Sequence, residues 1–320
     1  MSTITTAQDP IQQPMSTFNS PPILPGSIAS LDDLRGTDRY HVECICRAAT
    51  QTVFLGGTTV LSRVLGRYKA FLDTRDRGFA AHVMLDGYWE MWLTQFIARL
   101  VEPGMHVADV GANYGYYSLL MADLVGPTGR LVAVEPNPPV VESLRRTLEL
   151  NGFGGRSTVV AGAAGAGEGE GHLLVPAGEP KNASLVSRAA PSDEAALVAV
   201  PVHSLDALLG NLPRVDFLKI DAEGAEEDIV LGLGQIIARW RPRIVLEFNP
   251  ARCRDAAGLL ARLRGSYQVI QCLGFDAQAV PASDEDLLDP TNREDRLLYL
   301  DGEASLPARL LPAGSTHGEI

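Results

Sequence analysis

Between residues 105 and 300, short apolar runs alternate with amphipathic stretches of helical period, a pattern that predicts a parallel sheet covered by helices on both faces. The runs 106–110, 131–134, 158–161, 217–220 and 244–248 are expected as strands, with helices at 116–124, 140–150, 226–239 and 256–264. Two later runs, 269–272 and 297–300, are joined by an acidic loop with no clear helix, so they are expected to pair antiparallel as an edge hairpin. The fold class expected is therefore α/β and Rossmann-like, a mainly parallel seven-stranded sheet with an antiparallel edge hairpin. Residues 162–199 are rich in Gly, Ala and Ser and alternate weakly, which suits hairpins inserted into the sheet.

Upstream of Pro103-Gly104, residues 31–101 read as an N-terminal helical extension. Its clearest part is the stripe Trp89, Trp92, Leu93, Phe96, Ile97 and Leu100, spaced by threes and fours. The aromatic segment Gly87 to Trp92 is expected either to dock this helix on the sheet or to serve as a lid that keeps water from a pocket. Residues 1–30 carry Ser, Thr, Gln and Pro without apolar periodicity and are expected as a disordered or loosely docked tail, and 303–320 as a C-terminal tail. This leaves 102–302 as the catalytic domain.

A formal net charge of -12 argues against broad phosphate neutralisation, so no nucleic-acid partner is expected. No run approaches the roughly 20 apolar residues of a membrane span, and no charged segment followed by an apolar run opens the chain. A cytoplasmic protein acting on a small molecule or glycan is expected, with a homodimer left open. Cys44, Cys46, Cys253 and Cys272 are scattered and read as structural thiols.

The candidate chemistry starts where the first strand of the regular pattern ends. Asp109-Val110-Gly111-Ala112-Asn113-Tyr114-Gly115 makes a glycine turn into a helix at the carboxyl end of a parallel strand, where ligands of such sheets bind. Side chains at Gly111 or Gly115 are expected to block a ligand's approach to the main chain. Glu135 ends the next strand, positioned to accept hydrogen bonds from ribose hydroxyls. A nicotinamide-dependent oxidoreductase would use the same layout, but it calls for G-x-G-x-x-G and room for a pyrophosphate. The turn G-A-N-Y-G lacks that spacing and is followed by bulky Tyr116 and Tyr117, which favours a cofactor without phosphates.

The segment V-D-F-L-K-I-D-A-E-G-A-E, residues 215–226, gathers Lys219, Asp221, Glu223 and Glu226 at one strand end. Such crowding of ionisable groups marks a functional-site candidate, although Glu226 would also serve as a helix cap. With A-V-E-P-N-P at 133–138, S-L-D-A-L-L at 204–209 and P-R-I-V-L-E-F-N at 242–249, the chain resembles the FkbM family of methyltransferases. The resemblance implies a class I S-adenosylmethionine enzyme that methylates hydroxyl groups of natural products, sugars and glycans. It implies that the glycine turn contacts the methionine part of the cofactor and Glu135 the ribose. The cofactor set is then Asp109, Gly111, Ala112, Asn113, Gly115, Tyr116, Glu135, Pro136, Asn137 and Asp221.

Methyl transfer to a neutral hydroxyl needs its proton removed, so a base or a metal is required beside the donor. Asp221 is the first choice, with Glu223 and Lys219 completing the catalytic set. Alternatively, Asp221, Glu223 and Glu247 offer hard oxygen ligands to a Mg²⁺ ion that would acidify the hydroxyl. His203 and His82 are further base candidates. N-methylation of a small molecule and a binding module without turnover are the remaining readings.

Overall fold

The computed structural model describes residues 30–178, 183–186, 195–289, 291 and 294–302. Both expected tails lie outside them except for Ser30, whose side chain accepts a hydrogen bond from the Asp33 amide and caps the first helix.

The N-terminal extension runs α1 (Leu31–Gly36), α2 (Arg39–Ala49), β1 (Thr52–Gly56), β2 (Thr59–Val64), β3 (Tyr68–Asp73), α3 (Phe79–Asp86) and α4 (Met91–Leu100). The expectation of a helical extension is corrected here: its middle is a three-stranded antiparallel sheet in the order β1-β2-β3. Gly56 and Gly57, at φ 108° and 60°, turn the first hairpin, and the flanking Thr and Val residues suit extended backbone. The strand β3 is tied to the main domain by side chains of the helix at 138–150 and of Asn151, which follows it. The Phe71 amide donates to Thr147 Oγ1 at 3.0 Å, and Asn151 brackets Lys69 by bonds to its amide and carbonyl.

The main domain continues with β4 (His106–Val110), α5 (Tyr116–Leu124), β5 (Arg130–Glu135), α6 (Pro138–Leu150) and β6 (Ser157–Ala161). An insert follows, made of β7 (Ala163–Gly165), β8 (Gly169–Pro176), β9 (Ser184–Val186) and β10 (Ala195–Ser204). The chain then forms α7 (Leu205–Leu209), β11 (Phe217–Ile220), α8 (Glu226–Leu231), α9 (Gly234–Trp240), β12 (Arg243–Phe248) and α10 (Ala256–Arg264). It ends with β13 (Ile270–Leu273), β14 (Ala279–Pro281), α11 (Asp284–Leu287) and β15 (Arg296–Leu300).

The main sheet has the order β14-β13-β15-β12-β11-β4-β5-β6, parallel from β6 to β12 and antiparallel beyond. This is the expected Rossmann-like sheet with two differences. The strands β13 and β15 do pair antiparallel, but β15 inserts between β12 and β13 and so lies inside the sheet. The sheet also has eight strands rather than seven, because three residues of the acidic loop, too short to leave a periodic signal, add β14 to the edge. Side chains alternate between two cores. Leu131 and Ala133 face the cluster under α4, α5 and α6, whereas Val132 and Val134 face the one under α8, α9 and α10.

The insert forms its own sheet, β7-β10-β8-β9, in keeping with the expected hairpins. The single helix expected over 226–239 is instead two. The chain breaks at Gly232, where a Cβ would come within 2.1 Å of the Gly165 carbonyl oxygen and where the Gly232 carbonyl accepts from the Asp206 amide. That contact with β7 forbids the side chain a continuous helix would carry.

Candidate functional site

The parallel strands β4, β5 and β11 end side by side, and at their carboxyl ends lies a cavity of about 520 Å³. Of the residues singled out from sequence, Gly111, Ala112, Asn113, Tyr116, Glu135, Pro136, Lys219, Asp221, Glu223 and Glu247 line it. Asp109, Gly115 and Asn137 stand behind the wall. Asp109 is fully buried, and its Oδ2 accepts from Ser118 Oγ at 2.6 Å, which ties the strand to α5.

Both turn glycines are at positive φ, 75° for Gly111 and 91° for Gly115. Their reason differs from the expected one. A Cβ on Gly111 would lie 1.8 Å from the Asp221 carbonyl oxygen, and one on Gly115 would lie 2.6 Å from Leu144 Cδ1. The glycines admit β11 and α6 as close neighbours, and Gly111 is what lets Asp221 reach the turn.

Glu135 is 7% exposed. Its Oε2 accepts from the Asn113 amide at 2.8 Å and its Oε1 from the Asn137 amide at 2.9 Å, so one carboxylate joins the turn after β4 to the start of α6. Burial pushes its pKa up to about 7, even though the two amides favour the ionised form. Each oxygen has a second lone pair for a further donor.

On the other side of the turn, Lys219 is 3% exposed. Its Nζ lies 3.0 Å from Asp221 Oδ2, 3.9 Å from Asp109 Oδ1 and 5.0 Å from the Tyr117 ring centre. Burial opposes its charge, but Asp221 and Asp109 outweigh that and raise its pKa above the usual lysine range. Lys219 is thus a fixed cation that holds the Asp221 carboxylate in place. Burial also raises Asp109, with Lys219 and Ser118 pulling the other way.

The expected Mg²⁺ ligand set of Asp221, Glu223 and Glu247 is not assembled. Arg252, from the segment after β12, supplies the cation instead: its Nη1 lies 3.0 Å from Glu223 and 3.4 Å from Glu247, and its Nη2 lies 3.1 Å from Asp295. The acids are spread around a guanidinium, and no group of three or more His, Cys, Asp or Glu among the described residues is placed to hold a metal ion. These donors do not fit a metal. Glu247 is raised above the usual carboxylate range by burial and by the surrounding Asp221, Glu223, Glu226 and Asp295. Glu226 has the structural role: its Oε1 accepts from the Ala222 and Gly224 amides and ties the turn before α8.

Neither histidine lines the cavity. His203 Nδ1 is bonded to Glu168, and His82 packs on Tyr88 and Trp89.

The aromatic segment of the extension meets both the main domain and the cavity. Trp92 packs on Phe275, whereas Trp89 packs edge-on against Phe79 and lines the cavity with it. Phe79, Glu90, Tyr117, Arg252 and Asp295 were not singled out as site residues. Tyr117 follows the glycine turn and Glu90 lies in the aromatic segment, but nothing in the local sequence gives any of the five a role at the site, since each reaches the cavity from a separate element.

A family model described as the Methyltransferase FkbM domain matches residues 109–267. The Aeropyrum pernix protein-L-isoaspartate O-methyltransferase is 40% identical over 97 residues, covering 30% of this chain and 35% of that protein. The Pseudomonas aeruginosa AMB antimetabolite synthetase AmbE is 28% identical over 277 residues, 73% of this chain and 13% of the synthetase. The chain therefore spans well under two thirds of these relatives. The crystal structure of a methyltransferase FkbM from Methylobacillus flagellatus matches 62% of this chain and 43% of that chain, with 17% identity and a TM-score of 0.40. The family match starts at Asp109 and takes in the glycine turn, Glu135, the Lys219–Asp221 pair and Arg252, and over residues 109–267 the chain is a methyltransferase FkbM domain.

Proposed function

We propose that the protein is an S-adenosylmethionine-dependent methyltransferase that methylates a hydroxyl group of a sugar or other natural product. The observation that carries the reading is Glu135, a buried carboxylate with acceptor capacity to spare, facing the glycine turn across a cavity of about 520 Å³. A cavity of this size suits a nucleoside with a short side arm. Residues that fit the cofactor are Glu135 for the ribose hydroxyls and the turn Gly111 to Asn113 for the arm. When bound, S-adenosylmethionine supplies an electrophilic methyl group.

Asp221 reaches the cavity from the end of β11 and accepts the proton of the attacking hydroxyl. Lys219 orients it through the 3.0 Å contact, and Trp89 and Phe79 narrow the opening and exclude water. Arg252 keeps Glu223 and Glu247 in place at the rim without a metal. The alignment with an antimetabolite synthetase over 73% of this chain supports a natural-product acceptor. A cytoplasmic location and a homodimer belong to the same proposal.

Isothermal titration with S-adenosylmethionine and with NAD tests the cofactor. Binding of NAD alone would overturn the reading in favour of an oxidoreductase. Incubation with labelled S-adenosylmethionine and panels of hydroxyl and amine acceptors, with and without EDTA, tests the rest. Label in hydroxyl acceptors only, insensitive to EDTA, is expected.

A further inference from the structure

The N-terminal extension places a carboxylate in the cavity wall. Glu90 lines the cavity at the N-cap of α4, with φ 37° and ψ 65°, in the left-handed region that residues with a Cβ rarely occupy. A carboxylate at that position ordinarily turns back to the first amides of its own helix. That of Glu90 makes no such bond. Its Oε2 instead accepts from the Tyr117 hydroxyl at 2.9 Å. Tyr117 lies in the first turn of α5, directly after the glycine turn, and its ring faces Lys219. The unusual backbone and the tyrosine bond together hold the carboxylate toward the cavity.

The position is informative because β4 lies between β5 and β11. Glu135 flanks the glycine turn from the β5 side, and the group of Glu90, Tyr117 and Lys219 flanks it from the β11 side. We propose that Glu90 binds the α-ammonium group of the methionyl half of the methyl donor, an assignment that rests on the donor reading above with ribose at Glu135. From there the methionyl arm has to cross the glycine turn, and it ends in an ammonium and a carboxylate. On the β11 side, Asp221 already receives Lys219 on Oδ2. Glu90 is the acid that the extension adds to this wall, so donor recognition is shared between the extension and the sheet.

The test compares two ligands in calorimetric titrations of the full chain. S-Adenosylmethionine has the amino-acid arm, and 5′-methylthioadenosine has the same nucleoside and sulfur without it. Glu90→Gln keeps the shape and removes the charge. It is expected to weaken S-adenosylmethionine about 10- to 100-fold, the range for losing a hydrogen bond to a charged group, and to leave methylthioadenosine unchanged. Tyr117→Phe removes the bond that aims Glu90 and is expected to weaken S-adenosylmethionine a few-fold with the same selectivity, which keeps the test open should Glu90→Gln fail to fold.

Unchanged affinity for S-adenosylmethionine, or an equal loss for both ligands, overturns the assignment to Glu90 while leaving the donor reading intact. Failure of the unaltered protein to bind either ligand overturns the donor reading and this assignment with it.

Discussion

Replacing Glu135 with Gln separates the two demands made on that residue, holding the fold and holding a ligand. In the folded protein its pKa rises from 4.5 to about 7, a shift of roughly 2.5 units and so about 3 kcal/mol of penalty on the charged form at 1.36 kcal/mol per unit. A raised folded-state value means that the penalty is absent below pH 4.5, grows as pH rises, and is complete above about 7. That penalty is what remains after the carboxylate accepts two backbone amides, at 2.8 and 2.9 Å. A carboxamide carries no charge, but it has only one oxygen, so one of these amides faces an NH₂ group. At pH 5 the parent's own side chain is a neutral acid, so the loss there is about 0.5–1.5 kcal/mol, the range for a hydrogen bond between uncharged groups.

The stability difference between Glu135→Gln and the parent is therefore expected to shift by about 2.5 kcal/mol in favour of the variant between pH 5 and pH 8. Urea unfolding of the ligand-free proteins at both pH values measures this. The same variant is expected to bind S-adenosylmethionine about 10- to 100-fold more weakly at pH 8, because the ribose loses a charged acceptor. Parallel stability curves for parent and variant would refute the buried-charge argument. Undiminished cofactor affinity would refute the ribose assignment.

Three further perturbations probe the rest of the site. Asp221→Ala is expected to reduce kcat about 100-fold or more with S-adenosylmethionine affinity within a few-fold of the parent, as steady-state assays and titration would show. Gly111→Ala places a Cβ 1.8 Å from the Asp221 carbonyl at φ 75° and is expected to cost about 3 kcal/mol or more in denaturant unfolding, with loss of cofactor binding as β11 shifts. Arg252→Ala leaves Glu223, Glu247 and Asp295 without their shared cation. Because the guanidinium is partly exposed, a loss of only about 1 kcal/mol is expected, and thermal melts check it.

The sheet and the cofactor wall were legible because their signals are local. The helix over 116–124 and the strands 106–110 and 217–220 coincide with their expected bounds, since apolar period and flanking glycines are set within each segment. Asp109 to Tyr116 and Glu135 stood out for the same reason, as short motifs at strand ends. The strands at 52–73 differ from the expected helices because the hairpin buries only part of its surface, with β1 wholly exposed, and so leaves a weaker periodic signal than the stripe in α4. The break at Gly232 was invisible because it answers to Gly165, far off in the chain.

By itself, then, the sequence determined the alternation of strands and helices, the glycine turn and the acidic strand end. Each depends on residues a few positions apart, whose propensities act before any tertiary contact forms. Only the tertiary structure decided that Arg252 rather than a metal balances the rim acids, that Gly111 makes room for β11, and that Glu90 joins the cavity. Apart from the Arg252–Glu247 pair, these outcomes join groups separated by tens to more than a hundred residues, and only the packing of sheet and extension brings such groups into contact.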